Sequence, residues 1–493
     1  MEAFFLGFET VVQPIYLLYS VLGVTFGTIL AFLPGLTAAT GIAMLLPLTY
    51  SMEPLQALVL LLSVYSGGLF AGGATAILIN TPGSNANIAT CLDGYPMHLR
   101  GESERALGLA LMSSTIGGVI GTVCLIILAG PMAEVALQFG YGEMFMVAFF
   151  GLSVVGCLSD DVIKSLFAGL MGILFGTIGV NSMGIVRGTM GSIYLLEGVP
   201  LVPLLIGVLA LPSIYTLAAD KKSIELTKSK VSIKKLLAGC VEVLKHPIRS
   251  IVCSLVGVVV GIIPAAGASV AGILCYNESK QFSKNPEKYG TGIPEGITSV
   301  QSAANASEGG ALATMFVLGI PGSNASAMIL GAVMLLGWTP GPKMFVEHAD
   351  VIYATFSSLC IQQVIVAIVG FALCLVAAKL AKLPSKYLVP AIMLFTIVGA
   401  FASRYTMFDP WLMLFCGVLG WFMKKNQYPV MPLVLGILLG ELADANLMRI
   451  FQGYNSFWEI FTSPITTILA LISVASVLVP VISTVIRKKT VKV

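Results

Sequence analysis

Charged side chains are scarce in this sequence. They make up 10% of its 493 residues, whereas soluble domains carry about 25%, and the mean hydropathy is +0.94. So few charges cannot cover the surface of a water-soluble protein, and a hydrophobic share of 57% excludes a disordered chain. The sequence therefore predicts an all-α polytopic membrane protein, with room for about a dozen spans of roughly 20 residues each.

Residues that usually carry catalysis or bind metals are also few. The chain has 3 His and 9 Cys, but it has no C-x-x-C pair, no H-E-x-x-H motif and no phosphate-binding loop. Most of the Cys residues lie in apolar segments, where a thiol acts as a small hydrophobic side chain. We therefore expect a protein that is not an enzyme, has no bound cofactor and is not driven by ATP.

Three features of the sequence occur twice, in the same order. T-P-G-S-N-A-N at Thr81–Asn87 returns as I-P-G-S-N-A-S at Ile320–Ser326, and P-L-V-P-L-L-I-G at Pro200–Gly207 returns as P-V-M-P-L-V-L-G at Pro429–Gly436. An apolar segment that is broken by a proline also precedes the first motif in each half. Such spacing predicts two homologous halves. The predicted divisions are a first repeat 13–219, a basic cytoplasmic linker 220–247, a second repeat 248–447 and an extra C-terminal transmembrane helix 455–486.

Equivalent loops of the two halves differ in charge. The loop after the first P-G-S-N motif carries His98, Arg100 and Arg105, whereas its counterpart at Gly341–Asp350 has only Lys343 against two acidic residues. Cytoplasmic loops hold an excess of Lys and Arg, so these two loops are expected on opposite sides of the membrane. The repeats are then inverted, with the N-terminus outside and the C-terminus in the cytoplasm. Inverted repeats with broken helices or re-entrant hairpins are typical of secondary transporters.

The two P-G-S-N motifs, here called the first tip (Thr81–Asn87) and the second tip (Ile320–Ser326), are expected to break helices at membrane depth. Freed backbone groups are tolerated there only inside protein or beside a wet cavity. The half-helix after each tip presents N–H groups that suit a carboxylate, and the carbonyls before it suit Na⁺. Alternatively, the tips are kinks whose side chains serve only the local backbone. The predicted substrate-binding residues are Thr81, Pro82, Gly83, Ser84, Asn85, Asn87, Pro321, Gly322, Ser323, Asn324 and Ser326.

A polar run, Ser299–Glu308, precedes the second tip. We expect a short helix at 297–308 and a broken segment at 309–337, matching a helix at 55–70 and a broken segment at 71–91. Gln301, Asn305 and Glu308 have helical spacing, and polar side chains at membrane depth are usually functional, so Gln301 and Asn305 join the predicted substrate site. The alternative is a solvated segment at the membrane surface. Possible Na⁺ sites lie at the two broken hairpins, at Pro34, Thr37, Thr40, Pro264 and Ser269.

At these residues the sequence resembles the large membrane (permease) subunit of the tripartite tricarboxylate transporter family. The resemblance covers about 15–450 and is strongest in I-L-I-N-T-P-G-S-N-A-N-I-A-T-C-L-D-G-Y-P-M and in A-L-A-T-M-F-V-L-G-I-P-G-S-N-A-S. It implies an elevator-like carrier of the bacterial cytoplasmic (inner) membrane that imports citrate or another carboxylate together with Na⁺ or H⁺. The partners it implies are a small membrane subunit and a periplasmic (extracytoplasmic) solute-binding protein.

The sequence departs from the family pattern at four places. Gln301 stands where the pattern has Glu, Ala304–Asn305 where it has paired Asn, Ala265 where it has Gly and Ala71 where it has Tyr. These departures leave open a less charged substrate and a different number of coupled cations. The alternatives to a tripartite carrier are a stand-alone carrier of a carboxylate or small solute, a channel, or a membrane assembly subunit that does not transport. A channel would need a continuous polar pore, whereas the polarity here gathers at the two tips.

Overall fold

The protein is almost entirely helical in the computed structural model. The described residues are 2–33, 35–157, 161–181, 183–219, 232–264, 266–377, 385–454 and 456–476. Within them the strands are β1 (Gly179–Val180) and β2 (Val186–Arg187), which form one antiparallel hairpin. Pro34 and Ala265, at the expected hairpin breaks, lie outside these residues, as do 220–231 of the linker and the last part of the expected C-terminal helix.

The first half of the chain contains ten α-helices within the described residues. They are α1 (Glu2–Val11), α2 (Pro14–Ala31), α3 (Ala38–Leu45), α4 (Pro54–Ile79), α5 (Ile88–Leu99), α6 (Ser103–Ala136), α7 (Tyr141–Cys157), α8 (Val162–Gly176), α9 (Leu201–Leu205) and α10 (Leu211–Ala219). A π-helical turn at Ile206–Ala210 joins α9 to α10. The expected break between 31 and 38 is confirmed, because α2 ends and α3 begins there.

The second half follows the same order of long and short helices. Its elements are α11 (Ile233–Lys245), α12 (Pro247–Ile262), α13 (Gly267–Gln281), α14 (Pro294–Leu318), α15 (Asn324–Leu335), α16 (Met344–Glu347), α17 (Ala349–Cys374), α18 (Ser385–Arg404), α19 (Phe408–Lys425), α20 (Val430–Gly453) and α21 (Pro464–Ser476). Helices α12 and α13 flank the second expected break, as α2 and α3 flank the first. A loop at 282–293, with one short 3₁₀ turn, leads into α14.

Six helices of the described part are long and apolar enough to cross a membrane, or seven if α11 and α12 form one span bent by 76°. The six are α2, α4, α6, the continuous segment Leu201–Ala219, α17 and α20. Several shorter apolar helices, including α3, α8 and α15, accompany them. The chain is therefore a multi-pass membrane protein. Helix α11 is part of the expected linker, and it packs against α6 through an ion pair of 2.8 Å between Arg105 and Glu242.

Helices α4 and α14 form the centre of the molecule. Every residue from 57 to 78 and from 296 to 317 is buried. Each helix begins with a proline at its first position, where the missing N–H costs nothing. Both helices run without interruption, so the expected division of each into a separate helix (55–70 and 297–308) and the start of a broken segment is wrong. The breaks of the segments 71–91 and 309–337 lie at the tips, as expected. Helix α4 ends at Ile79 and helix α14 ends at Leu318, each directly before its tip.

Close packing explains why glycines and polar residues do not break these two helices. A methyl group on Gly23 of α2 would lie 2.6 Å from the Leu60 carbonyl oxygen of α4, and one on Gly121 of α6 would lie 2.6 Å from the Ala306 carbonyl oxygen of α14. Small residues that let helix backbones approach are a common way to pack helices in membranes. The neighbouring helices thus cover the backbone, and their polar groups bond the side chains of α14.

Candidate functional site

The two tips follow the same backbone path. Helix α4 is capped by Asn80 in the left-handed conformation (φ 53°), and α14 is capped by Gly319 in the same conformation (φ 71°). A proline follows two residues later in each case. Pro82 and Pro321 are as far apart in sequence as Asn80 and Gly319. The tip glycines also pack alike, because Gly83 lies against Gly72 and its equivalent Gly322 lies against Ala311. The repeat that the sequence motifs indicate therefore extends to local structure.

Within the first tip, backbone and side-chain hydrogen bonds hold the turn together. The N–H of Gly83 donates to the Gly72 carbonyl at 3.2 Å, which turns the chain back towards α4. Asn85–Asn87 then forms a 3₁₀ turn that leads into α5. The Asn87 amide is buried and donates to the Ser84 hydroxyl at 3.0 Å. Thr81 is exposed, and Pro82 and Ser84 are half-buried, so the predicted binding residues of this tip differ in access.

The polar face of α14 fastens the first tip from the second half of the chain. The Gln301 amide donates to Asn87 Oδ1 at 2.8 Å and to Thr90 Oγ1 at 2.9 Å, and its oxygen accepts from the Ser114 hydroxyl at 3.1 Å. Asn305 donates to Ser114 Oγ and to the Gln301 carbonyl, both at 3.0 Å. Gln301 and Asn305 are buried. The structure thus brings these two predicted residues to the first tip, where they connect α14 to α5 and α6.

The second tip is capped mainly by its own residues. Ser323 and Ser326 form a reciprocal capping box at the start of α15, with the Ser326 N–H donating to Ser323 Oγ at 3.1 Å and the Ser323 N–H donating to Ser326 Oγ at 2.8 Å. The Ser323 hydroxyl also lies 3.0 Å from the Tyr65 hydroxyl of α4. Pro321 and Gly322 are buried, and Asn324 is exposed.

Both tips lie against one helix, α13. A methyl group on Gly272 would lie 2.9 Å from the Ala86 carbonyl oxygen of the first tip, and one on Gly267 would lie 2.7 Å from the Gly322 carbonyl oxygen of the second. These two glycines are about 7.5 Å apart along the helix axis, at 1.5 Å per residue. The N-termini of α5 and α15 are therefore brought to the same short stretch of α13, although their sequences are far apart.

This arrangement suits an anion better than a cation. Neither α5 nor α15 has an acidic residue in its first turn, and the first N–H groups of a helix carry partial positive charge. A carboxylate near one such end gains about 0.3–1 kcal/mol, and more where the site is partly buried. Two helix ends and the half-buried hydroxyls of Ser84 and Ser323 could therefore hold a carboxylate without any basic side chain.

The candidate cation residues lie at the two hairpin breaks. Thr37 caps α3 by accepting from the Thr40 N–H at 3.4 Å, and the two hydroxyls lie 3.3 Å apart. Pro264 is buried and Ser269 is half-buried, and both are close in sequence to Gly267 at the second tip. Pro34 lies outside the described residues. Within the described part, no group of three or more His, Cys, Asp and Glu residues could hold a metal ion.

Asp93, which no predicted site includes, anchors the middle of α5. It is buried, and its Oδ1 accepts from the N–H groups of Gly290, Gly292 and Ile293 at 2.7–3.0 Å. Its Oδ2 accepts from the Tyr276 hydroxyl of α13 at 2.9 Å. Burial raises the pKa of Tyr289, which lies in the same loop as these N–H groups and packs edge-on against Tyr276 of α13. The sequence signal for this contact is the D-G-Y-P-M run after the first tip, but the partner loop is distant in sequence.

Glu308 is a second polar residue that no predicted site includes. It lies on the polar face of α14, is only 4% exposed and accepts from the Ser66 hydroxyl of α4 at 2.9 Å. The Gln363 amide of α17 donates to the same Ser66 hydroxyl at 3.4 Å. Tyr65 and Ser66 are neighbours on α4, so one turn of this helix contacts both Glu308 and the second tip.

A cavity of about 590 Å³ lies elsewhere, at the other end of α14 from the second tip. His246, Arg249, Cys253 and Glu295 are among the residues that line it, and none of the predicted site residues does. Its lining is mostly apolar. The tips, rather than this cavity, remain the candidate site.

Comparison with known proteins gives one family. The family model of the tripartite tricarboxylate transporter TctA family matches residues 17–435. An Agrobacterium vitis protein named "Uncharacterized 52.8 kDa protein in TAR-I ttuC' 3'region" is 32% identical over 98% of this chain and 97% of its own length. Another from that organism, "Uncharacterized protein in TAR-II ttuC' 3'region", is 31% identical over 39% of this chain and 80% of its own. No solved structure matches.

Proposed function

Since the chain belongs to the tripartite tricarboxylate transporter TctA family, we propose that it is the large membrane subunit of a secondary carrier that imports an organic carboxylate. The substrate is a tricarboxylate such as citrate, or a di- or monocarboxylate, and its uptake is coupled to Na⁺ or H⁺. The carrier works with a small membrane subunit and an extracytoplasmic solute-binding protein in the bacterial cytoplasmic membrane. The family is one of transporters, and no enzymatic step is proposed.

One observation carries this proposal. The half-helices α5 and α15 both begin beside the same stretch of α13, at Gly272 and Gly267. Their N–H groups and the tip hydroxyls offer an anion donors from two sides. A carboxylate between the tips would contact Ser84 and Asn85 on one side and Ser323 and Asn324 on the other. Such a site discriminates by shape and hydrogen bonding rather than by a fixed positive charge.

We propose that the two halves are inverted repeats that move relative to each other as in an elevator. Reciprocal packing supports this: α3 of the first half packs against α15 of the second, and α13 of the second half packs against the first tip. The inversion itself rests on the unequal charge of the equivalent loops. It places the N-terminus outside and the basic C-terminus in the cytoplasm.

Uptake measurements test the site. The complete system is reconstituted in proteoliposomes, and uptake of radiolabelled citrate, succinate and lactate is compared for wild type, Asn85→Ala and Asn324→Ala. We expect each substitution to lower kcat/KM at least about tenfold, because each removes a donor to a charged ligand, which is worth about 1.5–3 kcal/mol. Asn285→Ala, in an exposed loop away from the tips, is the matched control.

Two results would contradict the proposal. Near-normal uptake by both tip variants at normal protein levels would remove the site from the tips. Absence of saturable uptake and of counterflow for every probe in the wild-type system would favour a non-transporting assembly subunit. Uptake that does not saturate, with no counterflow, would favour a channel.

A further inference from the structure

We propose that Glu308 is the proton-coupling group of this carrier: its carboxyl, buried halfway across the membrane, binds one proton and releases it in each transport cycle. The inference deepens the proposed import function and rests on it. It assigns the coupling ion, which the tips alone leave open between Na⁺ and H⁺, and it assigns a residue outside both tips.

The position of Glu308 across the membrane follows from the packing of α14 against α6. Helix α6 has 34 residues and is therefore about 51 Å long, enough to cross the bilayer completely. Gly121 lies in the middle of α6, and its backbone contacts Ala306 and Gly309 on either side of Glu308. The carboxyl thus sits at mid-membrane, where an uncompensated charge is costly and ionisable residues usually have a role in transport.

The surroundings of Glu308 contain no compensating cation among the described residues. None of the ion pairs found there involves Glu308. The groups that face it are Tyr65 and Ser66 from α4, Gln363 from α17 by way of Ser66, and glycine backbone from α6 and α12. The charged side chains on the helices packed around α14 lie several turns from Glu308 along those helices. They are Glu104, Arg105 and Glu134 on α6, Arg249 on α12, Glu278 and Lys280 on α13, Asp93 on α5, Glu347 on α16 and Asp350 on α17.

These neighbours suit a proton better than Na⁺. A hard cation needs several converging oxygen ligands, whereas the Ser66 hydroxyl donates its hydrogen to Glu308 and the Gln363 amide donates to Ser66. A proton needs no further ligand. When it binds one carboxyl oxygen the charge disappears, the other oxygen still accepts from Ser66, and the new O–H becomes a donor.

The same turn of α4 connects Glu308 with the second tip. Ser66 bonds Glu308, and the adjacent Tyr65 bonds the Ser323 hydroxyl that caps α15. A proton on Glu308 removes the charge of the carboxyl to which Ser66 donates, and a carboxylate at the tip changes the surroundings of Ser323. Both events therefore act on Tyr65–Ser66, which gives the two sites a physical means of coupling.

Proteoliposomes with a pH gradient test the assignment. They contain the complete system and an internal pH dye, and accumulation and counterflow of labelled citrate, succinate and lactate are measured. A gradient of one pH unit supports about a tenfold accumulation ratio per coupled proton.

We expect Glu308→Gln to abolish this pH-driven accumulation and the acidification of the vesicle interior that accompanies it. Counterflow should stay within about twofold of wild type, because exchange needs no net proton movement. Glu308→Asp should retain part of the proton movement. Glu295→Gln, on the same helix but at its half-exposed end, is the matched control.

Carbodiimide labelling gives a readout that does not depend on transport. Dicyclohexylcarbodiimide adds to protonated carboxyls in apolar surroundings, and mass spectrometry locates the adduct. We expect labelling of Glu308 in the full-length protein that decreases as the pH is raised and is absent in Glu308→Gln. This measurement keeps the proposal testable if a variant is poorly produced.

Three results overturn the assignment. They are pH-driven accumulation by Glu308→Gln at the wild-type level, accumulation by the wild type that follows a Na⁺ gradient without proton movement, and no labelling of Glu308 at acidic pH. Failure of the wild type to exchange any probe would instead contradict the import function, so the two failures are distinguishable.

Discussion

The two tips share a backbone and differ in their partners. The first tip is held by the other half of the chain, through Gln301 at its turn and through the loop that bonds Asp93 in the middle of α5. The second tip is closed by its own capping box, and its side-chain bond beyond that turn in the described structure is the one to Tyr65. The residue of the second half that is equivalent to Asp93 is Ala332, which is buried and has no polar group.

This difference indicates unequal roles for two copies of one motif. A tip that is bonded to another part of the chain both at its turn and along the helix that follows keeps its position whether or not a ligand is present. A tip that is bonded mainly to itself can move as a unit at the cost of few hydrogen bonds to other elements, here the one between Ser323 and Tyr65. We therefore expect the first tip to be the fixed side of the candidate site and the second tip to be the side that responds to the ligand.

The largest effect is expected from Asp93→Ala, which removes the anchor of the first tip. Three backbone N–H groups and the Tyr276 hydroxyl would lose their acceptor, so we expect a loss of about 3–5 kcal/mol in the free energy of unfolding. Thermal unfolding of the detergent-purified protein measures this as a lower Tm. Glu287→Ala, at an exposed position of the same loop, is the control. Equal Tm values for the two variants would mean that the first tip is not held in this way.

A smaller effect is expected from Gln301→Leu, which keeps the size of the side chain but not its hydrogen bonds. Asn87, Thr90 and Ser114 would each lose a partner in a buried place, at a total cost of about 2–4 kcal/mol. Thermal unfolding and uptake by the same protein preparation should both show the loss. Gln281→Leu, at the exposed end of α13, carries the same substitution outside the site. A Gln301→Leu protein as stable and active as this control would refute the fixed first tip.

The smallest effects on stability are expected from single serine substitutions in the tips, and these compare the two tips most directly. Ser323→Ala removes the cap of α15, which costs about 1 kcal/mol, and Ser84→Ala removes the bond from Asn87, at about 0.5–1.5 kcal/mol. Both substitutions remove a hydroxyl from the candidate site, but only Ser323→Ala also removes the cap of the tip that responds to the ligand. We therefore expect Ser323→Ala to raise KM for the transported carboxylate more than Ser84→Ala does, by about fivefold for a difference of 1 kcal/mol. Initial rates of uptake at several substrate concentrations measure this. An equal rise in KM for both variants would show that the tips respond alike.

The sequence alone allows the tips and the breaks of both hairpins to be predicted. Proline and glycine mark these places because they end helices, and the recurrence of P-G-S-N identifies two equivalent positions. The lengths of α4 and α14 could not be predicted in the same way. The glycines Gly72 and Gly73 were expected to lie in a separate broken segment, and the polar run 299–308 in a separate short helix. Tight packing by neighbouring helices instead keeps one continuous helix in each half and bonds the polar side chains.

The partners of buried polar groups could not be predicted from single positions. Gln301 and Asn305 were expected on the basis of helical spacing, but their bonds run to Asn87 and Ser114 in the other half of the chain. In the same way, Asp93 accepts a hydrogen bond from Gly292, and Glu308 accepts one from Ser66. Each contact joins positions far apart in sequence, so only the folded chain shows which polar group is matched with which.

Helix α13 also reaches beyond the two tips. It is 15 residues long, about 22 Å, and its other half carries Tyr276, whose hydroxyl bonds Asp93 beside the loop at 282–293. A rod of this stiffness transmits a shift at one end to the other. A shift of Gly267 when the second tip binds a ligand would therefore displace Tyr276 as well. A fluorescent or spin label in the loop at 282–293 would then report when a solute binds between the two tips.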